Sequence, residues 1–278
     1  MTTLVTGARG FVGSGVLTRL LEAGEPVRAS SRNPEPGEFP DGVQVVRADL
    51  TDPSTLPAAL AGVTKVFLYA HPDTAVEFAA AAVAAGVQHV TLLSSGTVLQ
   101  PNAERNPIAV RHMTVEKALV DSGLPHTFVR PGYFATNSLR WTSIRTERVF
   151  RTAFPEATTS PVHERDISDV AAHALLHEAG TSASHSVLGP GPITQRDQIA
   201  AIADALGEPV QLEQVDVETY RAELLAELPP FLADMFIQFR GVVPNPSPEI
   251  AVDSVPDLLG RPALSFAEWA RDHAADYR

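Results

Sequence analysis

The chain has no cysteine among its 278 residues. This excludes a disulfide framework, a thiolate nucleophile and cysteine-ligated zinc. Positive charge is also scarce: 21 Lys and Arg stand against 33 Asp and Glu, a net charge of −12. A nucleic-acid groove needs concentrated cations to neutralise phosphates, so no nucleic-acid partner is expected. A local basic pocket for one phosphate-bearing ligand remains compatible with that balance. Apolar runs such as "VEFAAAAVAAGV" (76–87) are too short and Ala-rich to span a bilayer. Residues 2–6 lead straight into a glycine-rich loop, which leaves no room for a charged-then-apolar leader, and a cytoplasmic chain is expected. No internal repeat or low-complexity tract stands out, although 23 prolines imply many punctuated loops. What remains is a globular composition, 44% hydrophobic with a mean hydropathy of +0.01, enough for one large domain or a domain with a smaller lobe.

The first half alternates between two periods. Short apolar runs occur at 2–6, 26–30, 43–48, 65–70, 89–94 and 126–130, with helical patterns at 11–23, 74–85 and 105–122 and a shorter one near 54–60. Strands that are apolar throughout and separated by helices specify a parallel sheet covered on both faces, here a doubly wound α/β fold. After "VRPG" (129–132) the rhythm breaks. Asp166 or Ser168 is expected to cap a helix ending near Gly180, followed by a strand near 185–189, a helix from "TQRDQ" and an amphipathic stretch over 216–240. The tail ends in "LSFAEWARDHAAD", a capped amphipathic helix. The expected division is 1–131 plus about 161–189 as the sheet domain, with 132–160 plus 190–278 as a smaller substrate-binding lobe over the carboxyl ends of the strands.

"LVTGARGFVGSGVL" (4–17) places Gly7, Gly10 and Gly13 between the first strand and the first helix. In that context Gly7 permits the tight turn, Gly10 lets the backbone approach a pyrophosphate, and Gly13 allows close packing. Phe11 and Val12 open the helix whose N–H groups would face the phosphates. A bare strand–helix turn is the competing reading. The second strand runs into "ASSRNPEP", which offers Ser31 and Arg32 where an acid usually accepts the ribose hydroxyls of NAD. With Arg9 in the glycine loop, two guanidiniums suit a 2′-phosphate, so NADP is expected over NAD. Asp49 and Leu50 follow the third strand, on the adenine side. Tyr69, Ala70 and His71 end the fourth strand, Ser94 and Ser95 the fifth and Pro131 the sixth, where the chain passes the nicotinamide ribose. Each polar strand end is equally open to a purely local hydrogen-bonding role.

The segments "TGARGFVG", "SRNP", "ADLTD" and "EKALVDSGLPHTFVRPGYF" resemble the atypical short-chain dehydrogenase/reductase superfamily, and within it the NmrA-like branch of NAD(P)H-binding proteins. The likeness runs to "DLLGRPALSFAEWARDHAA" near the end of the chain. The resemblance implies a Rossmann fold and an NADP cofactor, in a branch that includes quinone reductases and redox-sensing regulators. Members commonly carry Tyr-x-x-x-Lys, with a Glu four residues after the Lys. Aligned through "SGLPHTFVRPG", Glu116 takes the Glu position, His112 the Lys position and Ile108 the Tyr position. The proton-donating Tyr of the family is therefore absent. His112 is a candidate to bond the nicotinamide ribose or deliver a proton; packing against a backbone carbonyl is the other reading.

Other residues carry weaker signals. His173 and His177 share a helix face at i,i+4 without an intervening Glu, and no metal site is expected. His163 and Glu164 are expected to make structural hydrogen bonds. Tyr133, Phe134, Trp141 and Phe150 follow the sixth strand and are candidates to line a flat apolar pocket. The expected function is NADPH-dependent reduction of a quinone-like or conjugated carbonyl compound, by a monomer or homodimer, with His112, Tyr133 or water supplying the proton. A non-catalytic NADP(H) sensor and a redox-neutral enzyme using bound NADP are the alternatives.

Overall fold

A computed structural model describes residues 2–35, 37–242 and 253–278. The chain divides into two compact units: Met1–Gly132, Glu164–Val187 and Val252–Pro262 in the first; Tyr133–His163, Leu188–Ala251 and Ala263–Arg278 in the second.

The first unit is built on seven parallel strands: β1 (Thr2–Val5), β2 (Val27–Ser31), β3 (Gln44–Arg47), β4 (Val63–Tyr69), β5 (His89–Leu93), β6 (His126–Pro131) and β9 (Ala183–Val187), in the order β3-β2-β1-β4-β5-β6-β9. The intervening β7 (Val149–Thr152) and β8 (Thr158–Thr159) belong to the second unit. This is the doubly wound Rossmann order, and the strand sequence reverses direction between β1 and β4. One face carries α1 (Phe11–Glu22) and α6 (Glu164–His177); the other carries α2 (Leu56–Leu60), α3 (Ala75–Ala84) and α4 (Pro107–Ser122). Leu4, Val66, Leu68, Val90 and Leu92 are buried under α2–α4, which supply Leu60, Phe78 and Leu119 to the same core. Continuous apolar strands are what such two-sided burial requires. α4 starts where Asn106 Oδ1 accepts the Ile108 N–H at 2.9 Å, with Pro107 in its first turn, and it stops at Gly123 with φ +74°. That is one residue pattern read from both ends, a side-chain cap and a left-handed terminator.

Two expectations about this unit are corrected. Asp166 and Ser168 do not cap α6; they lie inside it. The fully buried Asp166 carboxylate holds Arg261 at 2.6 Å, and Ser168 donates to the carbonyls of Val12 (3.0 Å) and Glu164 (2.8 Å). The same Arg261 reaches Asp169 at 2.7 Å, the Ser254 N–H bonds the Ser186 carbonyl at 2.9 Å, and Val255 of α10 (Val255–Leu259) is buried. Residues 253–262 thus stand with the sheet domain, whereas the sequence had placed all of 190–278 in the smaller lobe. Charge complementarity between α6 and a segment about ninety residues later, not local pattern, decides this.

The second unit packs α7 (Gln195–Leu206) against α11 (Phe266–Asp272). β7 (Val149–Thr152) pairs with β11 (Gln211–Gln214) in parallel, and β8 (Thr158–Thr159) with β10 (Ile193–Thr194) antiparallel. The core gathers Ile144, Phe150, Ile199, Ile202, Phe266, Trp269 and Tyr277. α5 (Thr142–Glu147) precedes β7, and α8 (Val217–Glu227) and α9 (Pro230–Val242) replace the single stretch expected over 216–240. Pro229 and Pro230 break it, because proline cannot continue a preceding helix. α7 and α11 both open with capping boxes, Thr194 with Asp197 and Ser265 with Glu268. His163 is buried and meets Asp272 at 3.3 Å, the structural role expected of it.

Candidate cofactor site

The parallel register sets the carboxyl ends of the central strands along one edge: Val5 pairs with Ala29 and Phe67, Tyr69 with Leu93, and Leu93 with Val129. The loops bearing Gly7–Gly13, Ser31–Arg32, Ala70–His71, Ser94–Ser95 and Pro131 therefore leave the sheet together. That edge is where open α/β sheets bind ligands.

The glycine loop is a close-packed backbone cradle. Gly7 has φ +62°, a conformation that favours glycine. A Cβ on Gly13 would lie 2.2 Å from the Gly7 carbonyl oxygen, so no side chain fits there. A Cβ on Gly10 would lie 3.3 Å from the same oxygen, so the fold itself leaves Gly10 more latitude. Gly10 caps α1 without a side-chain bond, and the first turn of α1 holds no acid. α4, α7 and α11 have side-chain caps, whereas no side chain takes up the first N–H groups of α1. Together these features fit a pyrophosphate: peptide N–H donors, a positive helix end and no side chain in the way. Val12 is buried and Phe11 exposed. Behind the loop, Thr6 Oγ1 donates to the Phe67 carbonyl at 3.0 Å and accepts the Tyr69 N–H at 2.7 Å, which ties the end of β1 to β4. The exposed Tyr69 packs beside Gly7. Neither Thr6 nor Gly15, where a Cβ would meet Ser168 Oγ at 2.4 Å, was singled out from sequence. Their value depends on partners far along the chain.

At the end of β2 the structure corrects the sequence reading, which found no acid there. Glu38 folds back so that its carboxylate meets Arg9 Nε at 3.0 Å and accepts from Ser31 Oγ at 3.0 Å. Arg32 is exposed, and its charge helps to hold Asp49 ionised. The larger causes at Asp49 are hydrogen bonds from the Thr51 hydroxyl and N–H, which push its carboxyl below the usual range. Leu50 and Ala70 rest on the core of the sheet. Thr74 Oγ1 donates to the Leu50 carbonyl and meets His71 Nδ1, 3.1 Å away.

Toward the other end of the edge, a buried network replaces two open strand-end hydroxyls. Ser94 Oγ donates to Glu116 at 2.6 Å, and Arg130 grips the same carboxylate with Nε at 2.9 Å and Nη2 at 2.7 Å. The bidentate pair fixes α4 against β6. Ser94 is therefore committed inward, and Ser95 spends its hydroxyl on Thr97, whose N–H it accepts at 3.2 Å. The Pro131 carbonyl lies 3.1 Å from where a Cβ on Gly96 would sit, so these two loops cross at backbone contact. One turn before Glu116 on α4, His112 is half-buried, and its Nδ1 is buried without a hydrogen-bond partner. Burial, only partly offset by Glu116, pulls its pKa down. Burial thus favours the neutral imidazole. Ile108, four residues earlier, has nothing with which to donate a proton.

The second unit carries a cavity of about 330 Å³ of its own. Trp141 and Phe150, with ring centroids 4.5 Å apart, line it together with Tyr133, Tyr220 and Phe236. Phe134, also a pocket candidate, instead pairs its backbone with Val162. Arg151 in the cavity is neutralised by Glu147 at 3.0 Å and Glu213 at 2.9 Å. The His173 and His177 rings rest against each other with centroids 4.7 Å apart, in the first unit.

Comparison with known proteins bears on this arrangement. The chain is 40% identical over 276 residues to the (4-alkanoyl-5-oxo-2,5-dihydrofuran-3-yl)methyl phosphate reductase of Streptomyces griseus, covering 98% of this chain and 97% of that one. It is 34% identical to the NAD(P)H azoreductase of Xenophilus azovorans, covering 99% and 98% of the two chains. The solved NADPH-dependent quinone oxidoreductase of Escherichia coli superposes with a TM-score of 0.78 at 25% identity, covering 98% of this chain and 99% of that one. Residues 7–178, from the first loop glycine to just past α6, match the model of the NAD(P)H-binding family, and the chain belongs to that family.

Proposed function

We propose that the chain is an NADPH-dependent reductase of a quinone-like or otherwise conjugated carbonyl compound. One observation carries the reading: a backbone cradle at Gly7–Gly13, in which Gly13 admits no side chain, at the head of a helix with no side-chain cap and no acid in its first turn. Gly7, Gly10 and Gly13 would hold the pyrophosphate. Arg9, Ser31 and Arg32 would hold the 2′-phosphate, with Asp49, Leu50, Tyr69, Ala70 and His71 flanking the adenine and riboses. When bound, the dihydronicotinamide supplies a hydride. His112 would position the ribose or carboxamide, and Glu116, fixed by Arg130 and Ser94, holds the helix that bears it.

The absence of a Tyr acid at position 108 narrows the substrate. A simple ketone needs a proton at oxygen as charge arrives, whereas a conjugated acceptor spreads that charge and takes its proton from water, Tyr133 or His112. The aromatic cavity of the second unit suits such a flat molecule. The name of one relative, an alkanoyl-oxo-dihydrofuran phosphate reductase, supports a conjugated carbonyl acceptor, and that of the other, an azoreductase, a conjugated acceptor more broadly. The reading carries with it a cytoplasmic location and a monomer or homodimer. No described helix is long and apolar enough to cross a membrane. Purified protein incubated with NADPH and a panel of quinones, enones and aldehydes tests the reading. Turnover of the conjugated members above the simple aldehydes is the expected result. Tight NADPH binding without turnover of any member would favour the second reading, a cofactor sensor, which the Ile108 substitution also allows.

A further inference from the structure

The acid that the sequence of β2 lacks is delivered from seven residues further on. Glu38 has a side chain only 7% exposed, in a loop whose neighbours Glu35 and Gly37 are exposed. Its Oε1 receives Ser31 Oγ at 3.0 Å and Arg9 Nε at 3.0 Å, and its Oε2 accepts the Glu35 N–H at 3.2 Å. Arg9 and Ser31 are two of the three groups assigned above to a 2′-phosphate. Two donors of that subsite, Arg9 Nε and Ser31 Oγ, are thus already engaged by an anion from within the chain.

We infer that Glu38 is a specificity-determining residue which competes with the 2′-phosphate for Arg9 and Ser31. The inference rests on the cofactor reading above. A carboxylate and a phosphate compete for Arg9 Nε and Ser31 Oγ, because two anions held at hydrogen-bond distance of the same donors repel. A cofactor carrying the 2′-phosphate must displace Glu38 and break its three contacts. A cofactor with a free 2′-hydroxyl leaves Glu38 in place and can donate that hydroxyl to it, the role an acid at this strand end plays in NAD-binding folds. Glu38 therefore lowers the preference for NADPH that Arg9 and Arg32 create, and brings the two cofactors closer in affinity. Its replacement by Gln keeps the shape and the hydrogen bond from Ser31 while removing the charge.

The test is calorimetric titration of wild type and Glu38→Gln with NADPH, NADH, 2′,5′-ADP and 5′-ADP, with circular dichroism and thermal melting as the check on folding. The 2′,5′-ADP probe carries the 2′-phosphate without nicotinamide. Glu38→Gln is expected to tighten NADPH and 2′,5′-ADP about tenfold, the scale of one charge-assisted contact, and to leave NADH unchanged or weaker. Glu38→Ala is the second variant and is expected to move the ratio the same way. An unchanged NADPH-to-NADH ratio in both variants, with wild type binding NADPH, overturns the inference and leaves the cofactor reading standing. Failure of wild type and variants alike to bind any of the four ligands overturns both.

Discussion

The two units of this protein build their candidate sites from different materials. In the sheet domain the cofactor cradle is mostly backbone: peptide groups at Gly7–Gly13, strand ends held in register, and carbonyls such as that of Pro131 in contact with Gly96. In the second unit the cavity is walled by side chains drawn from segments far apart, Trp141 and Phe150 before and Tyr220 and Phe236 well after. A backbone site is specified by local spacing and tolerates change around it. A side-chain site varies with every wall residue. Reductases with one cofactor and many acceptors are served by that division, since substrate choice changes without disturbing the cradle.

The sharpest way to break this contrast is Gly10→Val. Gly10 has ordinary extended dihedrals, and a Cβ there needs the Gly7 carbonyl to give by only a few tenths of an ångström, so the fold should survive, while the side chain would stand in the path of a phosphate. NADPH affinity should fall by about 10³-fold or more, equivalent to ~4 kcal/mol, in a protein with native circular dichroism. Unchanged affinity would reduce the loop to a turn. A large effect of a different kind lies in the scaffold under the site. Burial brings the pKa of His89 down to about 4, whereas the unfolded chain titrates near 6.5. As pH falls from about 6.5 to about 4 the unfolded state takes up the proton first. Stability is therefore lost over that window, by about 3 kcal/mol in all, and levels off below it. Denaturant midpoints against pH should show this slope in wild type and a shallower one in His89→Gln.

In the second unit, Trp141→Ala should raise KM for a conjugated acceptor about tenfold while NADPH affinity stays fixed, because the indole faces the cavity and pairs with Phe150. Equal changes in both constants would dissolve the division between the units. Arg32→Ala should weaken NADPH by about tenfold and leave NADH nearly unchanged, as the loss of one charge-assisted phosphate contact requires. The smallest effect is expected at His112. Its lowered pKa keeps it neutral at pH 7, fit to orient a ribose but without a proton to spare. His112→Ala should weaken NADPH modestly and slow single-turnover hydride transfer less than about tenfold. General acid catalysis would instead cost about 10²–10⁴-fold. A wild-type titration of that step that vanishes in the variant would make His112 the acid.

How much of the site was legible follows the same line. Gly7, Gly10 and Gly13 were readable because turn and helix geometry act over a few residues. Ser94 was placed at the right edge, yet its hydroxyl faces Glu116, since only the packed position of α4 brings that carboxylate to it. Glu38 was passed over because a loop of Pro and Gly residues gives no periodic signal for where it returns.

From sequence alone came the alternation of apolar strands and helices, the glycine loop and the capped start of α11. Each depends on backbone preferences and hydrogen bonds that span four residues or fewer. Tertiary structure alone decided that 253–262 joins the sheet domain through Arg261 and the buried Asp166, that Gly15 must stay small against Ser168, and that an acid stands at the end of β2. These rest on groups distant in sequence that meet only after loop closure, where charge pairing and steric fit, which no local pattern encodes, select the partner.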